Sequence, residues 1–242
     1  MEELVPRVVD KYAIDLVIAN GENASGGVGI TPNVAEQLLS QGVDVLTSGN
    51  HIWKHKEIIQ YLDDTDRLIR PANYPPGTPG RSFTVVETAA KGKVAVFNLE
   101  GRVFMNALDC PFRAADQILA ALPADVTAII VDMHAEATSE KLAMGYYLDG
   151  RVSAVIGTHT HVQTADGRVL EKGTGYLTDA GMTGPIGSVI GMKTEVILQR
   201  FLTQMPVPFK VASQDIQLQG VVVSLNEVGR CREMTAIPAP VK

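Results

Sequence analysis

The 242-residue sequence contains only two cysteines, one tryptophan and 5% aromatic residues. Cys110 and Cys231 stand alone, without the CxxC spacing of a thiolate metal site, and their use argues against a structural disulfide. No apolar run reaches the roughly 20 residues that a spanning helix needs. The charged N-terminal segment lacks the apolar core of a signal peptide. These absences predict a cytoplasmic protein with reduced thiols and no membrane partner.

The sequence also lacks an excess of positive charge. Its net charge is -6 and its pI is near 5.4, so no broad basic surface for binding nucleic acid is expected. A small phosphate-bearing substrate stays compatible with this charge, because bound metal ions can meet a phosphate locally. The length and the 45% hydrophobic content suit one sizeable core. We therefore expect residues 1–242 to form a single domain, and the sequence leaves a homo-oligomer open.

Strands alternate with helices through the middle of the chain, and short strands follow. Apolar runs predict buried strands at "DLVIAN", "VDVLTS", "VTAIIVDM" and "VSAVIG". Residues 83–101 indicate a hairpin or two strands, and the tail indicates paired strands joined at Asn226–Gly229. Thr31 is a suitable N-cap for a helix that begins at Pro32, and residues 188–204 have the pattern of another helix. This order predicts a layered α/β fold with sheet at its centre.

Polar residues follow each of four predicted strands. In chain order these clusters are Gly21–Glu22–Asn23, Gly49–Asn50–His51, His134–Ala135–Glu136 and Thr158–His159–Thr160–His161. In open α/β sheets, ligands bind beyond the carboxyl ends of the strands, where the loops converge. Along an extended segment, residues i and i+2 point the same way, so both late histidines are expected to face one point. The four clusters together predict one shared site.

Each cluster also has a simpler interpretation when it is taken alone. Glu22 and Asn23 can cap a turn, Asn50 can be a local hydrogen bonder, and His134 can be a hydrogen-bonded core histidine. The glycine-rich "GENASGGVG" matches neither GxGxxG nor a P-loop, and Ser25 has no base beside it in sequence. The combination of clusters, rather than any one member, supports the shared site.

The residue types in these clusters favour a metal centre. Imidazole, carboxylate and amide ligands without a thiolate suit iron, manganese or zinc. The set is too large for one open catalytic metal, and a carboxylate such as Glu22 can bridge two ions about 3.5–4 Å apart. Such a pair clamps the attacking and leaving oxygens in phosphoryl transfer, and a spare histidine can protonate the leaving group.

Several longer strings make a family resemblance specific. The order "GNH", isolated His, "GTHTH" resembles the calcineurin-like metallophosphoesterases. The strings "ANGENASGGVGIT", "SGNHIW", "RPANYP", "NLEGRVFM", "DMHAEATSEK" and "TDAGMTG" are similar to the YmdB-like bacterial branch of that superfamily. The resemblance extends over nearly the whole chain from Ile14. It implies a four-layer α/β/β/α sandwich and hydrolysis of phosphodiesters, notably 2′,3′-cyclic nucleotides.

The resemblance also implies a role for each motif residue. It implies two metal ions, with iron expected first and manganese or zinc as alternatives. Glu22 bridges both ions, and His51 is the general acid. The other implied ligands are Asn23 and His161 for the first ion, and Asn50, His134 and His159 for the second. The implied lining of the substrate pocket is Asn73, Arg102, Phe104 and Thr183, for which loop geometry and packing is the alternative interpretation.

One departure from the family pattern opens a second hypothesis. The family begins with a strand that ends in a metal-binding aspartate, whereas Asp10 and Asp15 of this chain match no such motif. We therefore expect the native protein to carry a further N-terminal strand encoded upstream of Met1. The alternative is a non-catalytic, metal-binding regulatory member that retains only the second site.

Overall fold

A computed structural model describes residues 2–89 and 92–237. Its helices are α1 Leu4–Tyr12, α2 Pro32–Ser40, α3 Ile58–Asp64, α4 Pro111–Ala121, α5 Thr138–Tyr147 and α6 Thr194–Thr203. Its strands are β1 Ile18–Asn20, β2 Val45–Thr47, β3 Phe83–Thr88, β4 Gly92–Glu100, β5 Val126–His134, β6 Ala154–Thr158, β7 Arg168–Val169, β8 Gly175–Leu177, β9 Gly184–Pro185, β10 Ile216–Gln217, β11 Val221–Leu225 and β12 Cys231–Ala236. Within the described ranges, no helix is long and apolar enough to cross a bilayer.

Six strands form one sheet in the order β3-β4-β5-β6-β8-β7. Strands β4, β5, β6 and β8 are parallel, and β3 and β7 pair antiparallel at the two edges. The register places Glu100, His134 and Thr158 side by side at the ends of β4, β5 and β6. A separate parallel pair is formed by β1 and β2. Residues that follow these parallel strands therefore emerge at shared sheet edges.

Alternating side chains show how the two sheets are layered. In β2, Leu46 packs against α2 and α3, whereas its neighbour Val45 faces Val96 of β4. In β4, Phe97 packs instead with residues of α4 and α5. Successive side chains of a strand point to opposite faces. The layers are therefore α2 with α3, then β1–β2, then the large sheet, then α4 with α5, which confirms the predicted α/β/β/α sandwich.

Local sequence signals agree with the structure at the start of α2 and at two antiparallel strand pairs. The hydroxyl of Thr31 accepts the Val34 N–H at 3.4 Å, and Pro32 occupies the first turn of α2, as predicted. The hairpin over residues 83–101 is present as antiparallel β3 and β4, and its residues 90 and 91 lie outside the described ranges. The tail strands β11 and β12 pair antiparallel around Asn226–Gly229, as expected.

The helix predicted over residues 188–204 is wrong at its start. The helix α6 begins only at Thr194, because Ile190 and Gly191 have φ angles of 46° and 99°, which a right-handed helix does not allow. These two residues close a tight turn in which Val189 and Met192 exchange main-chain hydrogen bonds. The apolar residues of this segment do have helical spacing, but the turn at Ile190 and Gly191 keeps its first residues out of the helix.

Candidate metal centre

Side chains from four strand ends converge on one point. Glu22 follows β1, Asn50 follows β2, His134 ends β5 and His159 follows β6. The Nε2 atom of His134 lies 3.3 Å from Glu22 Oε2, 3.0 Å from Asn50 Oδ1 and 3.1 Å from His159 Nδ1. Candidate ligand atoms of Glu22, His134 and His159 all lie within 4.8 Å of one another. The predicted shared site is therefore assembled in the fold.

The hydrogen bonds of His134 fix which ring nitrogen is free. Its Nδ1 lies 2.9 Å from the Thr158 hydroxyl, which itself donates to Asp132 Oδ1 at 2.6 Å. Because the Thr158 proton is committed to Asp132, the Thr158 oxygen accepts the proton of Nδ1. In neutral His134 the lone pair is then on Nε2, which faces the cluster.

His159 is oriented in the complementary way. Its Nε2 lies 3.2 Å from Glu136 Oε2, so that nitrogen carries the proton and Nδ1 faces His134. Burial, together with the neighbouring His134, lowers the pKa of His159 to about 4. The ring is therefore neutral at pH 7 and offers a lone pair.

Four acceptor atoms thus face one another, on Glu22, Asn50, His134 and His159. Such an arrangement repels itself unless positive charge lies between the atoms. Gly49 leaves the space for it, since a Cβ at this position would overlap His134 Nε2 and Glu22 Oε2. The nitrogen and oxygen donors fit a first-row transition metal ion.

The pKa shifts of the buried groups also show that the cluster favours positive charge. Burial alone would raise the pKa of Glu22, but His134 and His51 hold it well below its ordinary value. Burial opposes protonation of His134, yet the negative charges of Glu22, Asp132 and Glu100 outweigh it and raise the pKa of His134. The negative charges that favour a proton on His134 would likewise favour a cation at the cluster.

A second group of predicted ligands lies on the other side of Glu22. Asn23 Nδ2 donates to Glu22 Oε1 at 3.0 Å and lies 3.2 Å from His161 Nε2. His161 Nδ1 lies 3.1 Å from the main-chain oxygen of Ile190, so it donates there, and the lone pair on Nε2 accepts from Asn23. The two oxygens of Glu22 therefore face two different groups, an arrangement that suits a bridging carboxylate.

His51 is placed differently from Asn50, its neighbour in sequence. Its Nδ1 lies 3.0 Å from Asn23 Oδ1 and 3.4 Å from Glu22 Oε1, and its main-chain N–H donates to Glu22 Oε2 at 3.2 Å. Its side chain is 38% exposed, whereas that of Glu22 is 3% exposed. His51 therefore stands at the solvent side of the cluster.

The expectation that His159 and His161 lie on an extended strand is wrong. Strand β6 ends at Thr158, and the two histidines have φ angles of 94° and 65°. Both rings still reach the cluster, but they do so through a left-handed backbone and point to different groups. The H-x-H motif does bring both histidines to the cluster, but not because alternate residues of a strand point the same way.

The early aspartates do not take part in this cluster. Asp10 lies in α1, and Asp15 lies between α1 and β1. The close group of candidate ligands found among residues 2–89 and 92–237 includes neither of them. In the described structure, the group around Asn23 and His161 is thus poorer in charge than the group around His134.

Sequence reasoning missed the residues that hold the ligands. Asp132 is buried and accepts hydrogen bonds from Asn20 at 2.9 Å, from Thr158 and from Thr47. It thereby ties the ends of β1, β2, β5 and β6 together. The available signal was an acidic residue inside the apolar run "TAIIVDMH". A buried carboxylate in a strand needs polar partners, which marks it as a supporting residue.

The four residues predicted to line the substrate pocket have different surroundings. Asn73 is buried, and its amide bonds to the main chain of Glu100 and Asp109, which favours the interpretation of loop geometry. The main-chain N–H of Arg102 donates to the carboxylate of Glu140. Phe104 is 90% exposed, with a φ of 63°. The fourth, Thr183, is exposed and donates to the oxygen of Gln219 at 3.4 Å.

The layered fold and the mixed His, Asn and Glu cluster define a protein of the metallophosphoesterase type. The chain belongs to the family of YmdB-like proteins, whose family model matches residues 1–237. It is 50% identical over 227 residues to a 2′,3′-cyclic-nucleotide 2′-phosphodiesterase of Bacillus subtilis, with 94% of this chain and 86% of the relative covered.

Two solved structures have the same fold. A hypothetical protein from Thermus thermophilus superimposes with a TM-score of 0.88 at 44% identity, over 98% of this chain and 91% of that one. A novel phosphatase of Mycoplasma pneumoniae gives a TM-score of 0.90 at 34% identity, over 98% of this chain and 86% of that one. These likenesses agree with the resemblance drawn from the sequence motifs.

Proposed function

We propose that this protein is a metal-dependent phosphoric diester hydrolase that acts on small phosphodiesters, with 2′,3′-cyclic nucleotides as the expected substrates. The convergence of Glu22, Asn50, His134 and His159, with free lone pairs directed at one point, is the observation that carries the proposal. The 50% identity to a relative named for this activity supports the substrate class. The presence of His51 beside this cluster favours an enzyme over the non-catalytic alternative.

Two metal ions are proposed, with Glu22 between them. Asn50, His134 and His159 would hold one ion, and Asn23 and His161 would hold the other. The absence of thiolates from the cluster suits iron, with manganese or zinc as alternatives. When bound, the ions supply Lewis acidity toward the phosphate and lower the pKa of water.

His51 is proposed as the general acid. Its Nδ1 is anchored by Asn23 Oδ1, so its Nε2 is directed away from the ligands and toward the open side of the cluster. Water adds to phosphorus and releases one proton to solvent, the ester P–O bond breaks, and the proton of His51 goes to the leaving oxygen. Solvent then returns a proton to His51. Asn23 thus sets the position of this ring and accepts the Nδ1 proton, so the proton given to the leaving oxygen is the one on Nε2 of the protonated ring.

The loop that carries Arg102 and Phe104 is proposed to border the substrate. Glu136, which contacts His159, donates its main-chain N–H to the sulfur of Met105 at 3.3 Å, so the loop lies beside the cluster. Arg102 can meet a phosphate, and exposed Phe104 can contact a base. Asn73 and Thr183 complete the proposed lining, Asn73 by holding the loop from within.

The two free cysteines suit the cytoplasmic location proposed for the protein.

The His51→Ala variant tests the proposal. It should retain the bound metal of the parent protein and lose about 10²–10⁴-fold in turnover of 2′,3′-cyclic AMP, because positioned proton transfer is worth that much. Metal content by mass spectrometry and product formation by chromatography are the measurements. The matched control is His55→Ala, since the His55 ring bonds to the Val28 carbonyl and lies outside the cluster.

Two results would contradict the proposal. Loss of metal together with activity in His51→Ala would identify His51 as a ligand. A metal-loaded parent protein that hydrolyses no cyclic nucleotide would favour the non-catalytic alternative.

A further inference from the structure

A buried ion pair lies directly behind the histidine segment. Lys141 Nζ in α5 is 2.8 Å from Asp179 Oδ2, two residues after β8, and the side chains are 1% and 0% exposed. Removing two charges from water is costly unless further hydrogen bonds compensate. The groups that complete this pair therefore indicate what it holds in place.

Asp179 holds Thr160 by two bonds. Its Oδ2 accepts the main-chain N–H of Thr160 at 3.0 Å and the Thr160 hydroxyl at 2.7 Å. Lys141 Nζ also reaches Thr160 Oγ1 at 3.4 Å, and Asp179 Oδ1 accepts the N–H of Gly181 at 2.8 Å. Lys141 and Thr160 thus share the Oδ2 oxygen of Asp179, and Gly181 holds the Oδ1 oxygen.

Thr160 is the residue between the two histidines with positive φ. His159 has a φ of 94° and His161 a φ of 65°, values that side chains other than glycine adopt only at a cost in free energy. Such backbone persists where its surroundings hold it. Because Thr160 is held at both its N–H and its hydroxyl, the residues on either side turn in left-handed conformations. One ring then reaches His134, and the other reaches Asn23.

We propose that Lys141, Asp179 and Thr160 form a positioning clamp that directs His159 and His161 to the two different sides of Glu22. The clamp residues are positioning residues, since they act through the two histidines. This inference rests on the metal centre of the proposed function. A merely structural ion pair, which joins α5 to the segment after β8, is the competing explanation.

The Thr160→Val variant separates these explanations. It removes the hydroxyl and its bonds to Asp179 Oδ2 and Lys141 Nζ, but it keeps both charges of the Lys141–Asp179 pair and the Thr160 N–H. Loss of a group that orients ligands typically costs about 10–100-fold in metal affinity, so Mn²⁺ should bind that much more weakly by calorimetry. Thr160→Ser restores the hydroxyl and should restore most of the affinity.

The matched control is Thr174→Val at the opposite end of β8. Thr174 is fully buried and donates its hydroxyl to the Val152 carbonyl at 2.7 Å. This control should lower the melting temperature yet keep the parent affinity for Mn²⁺. Equal losses of Mn²⁺ affinity in Thr160→Val and Thr174→Val would show that the clamp has a structural role only.

A second measurement needs no metal. Long-range ¹H–¹⁵N spectra of the imidazoles report the tautomer of each ring in the chelator-treated protein. Thr160→Val should change the signals of His159 and His161 and leave those of His55 unchanged, whereas Thr174→Val should change none of them. Unchanged rings together with parent-like Mn²⁺ binding would overturn the clamp.

These readouts separate the clamp from the proposed function. If the parent protein hydrolyses no cyclic nucleotide but Thr160→Val still weakens Mn²⁺ binding, the proposed activity fails and the clamp stands. If the parent binds no Mn²⁺, the metal centre fails, and the imidazole spectra alone decide whether Thr160 positions the rings.

Discussion

Gly49 shows how the absence of one side chain shapes the cluster. It precedes Asn50 and His51, and its place is bounded by His134 and Glu22. Its φ is not positive, so conformational freedom is not the reason for glycine here. The reason is space, because any Cβ would occupy the point where the candidate ligand atoms converge.

Gly49→Ala is therefore expected to abolish high-affinity metal binding and to destabilise the fold by about 1–3 kcal/mol, as overpacking does. Metal content and the free energy of unfolding in urea are the measurements. Gly187→Ala is the matched control, because Gly187 also lacks a positive φ and its Cβ would meet only Asp215 Oδ2 at 3.8 Å. A Gly49→Ala protein with the metal content of the parent would contradict this account.

The sequence sufficed to group the candidate ligands but not to identify their supports. Glu22, Asn50, His134 and His159 each follow an apolar run, and the common edge of parallel strands brings such positions together. Asp132 lies inside an apolar run and Thr158 directly after one, and their side-chain partners depend on the register between strands far apart in sequence. That register brings His134 beside Thr158, and no local pattern reveals it.

At the scale of the element, the start of α2 and the turn at Asn226–Gly229 were predicted correctly, but the turn before α6 was not. The cap of α2 at Thr31 is a local signal, so the start of that helix was readable. The segment before α6 has helical spacing, yet Ile190 and Gly191 turn there, and the Ile190 carbonyl binds His161. The turn serves the contact with His161 in the candidate site, and the spacing of apolar residues does not reveal such a contact.

Strand β4 carries an ionisable group into the interior at its last residue. Glu100 is fully buried, its Oε2 accepts the Tyr74 hydroxyl at 3.1 Å, and its Oε1 has no partner among the described residues. Burial raises the pKa of Glu100, although His134 and Tyr74 oppose this. The folded state therefore holds the proton more tightly than the unfolded chain does.

The raised pKa of Glu100 predicts that the effect of Glu100→Gln on stability depends on pH. A raised pKa stabilises the fold fully below the unfolded pKa of Glu, about 4.3, and this contribution is lost as pH rises through the folded pKa. The Glu100→Gln variant has no charge to lose at this position, so its melting temperature relative to the parent should increase from pH 4 to pH 8. Thermal melts of chelator-treated protein measure this difference.

The control for this prediction is Glu87→Gln on the neighbouring strand β3, where the side chain is exposed. Its melting temperature relative to the parent should change little over the same pH range. If Glu100→Gln changes the melting temperature by the same amount at pH 4 and pH 8, ionisation of the buried carboxyl does not destabilise the fold.

At the scale of the whole molecule, the cluster lies where the two sheets meet. Glu22 and Asn50 follow strands of the two-stranded sheet, whereas His134 ends β5 and His159 follows β6 of the six-stranded sheet. Asp132 already links these halves through Asn20. A cation held by residues from both sheets would add a second link between the layers.

Metal binding should therefore stabilise the entire fold. A ligand that binds only the native state at 100 times its Kd adds about 2.7 kcal/mol, which for a chain of this length raises Tm by about 5–10 °C. Differential scanning calorimetry of chelator-treated protein titrated with Mn²⁺ measures the shift. His134→Ala should lose most of it and His55→Ala should keep it, because only His134 belongs to the cluster. A Tm that does not respond to Mn²⁺ would mean that the two sheets are held together without a metal ion at Glu22.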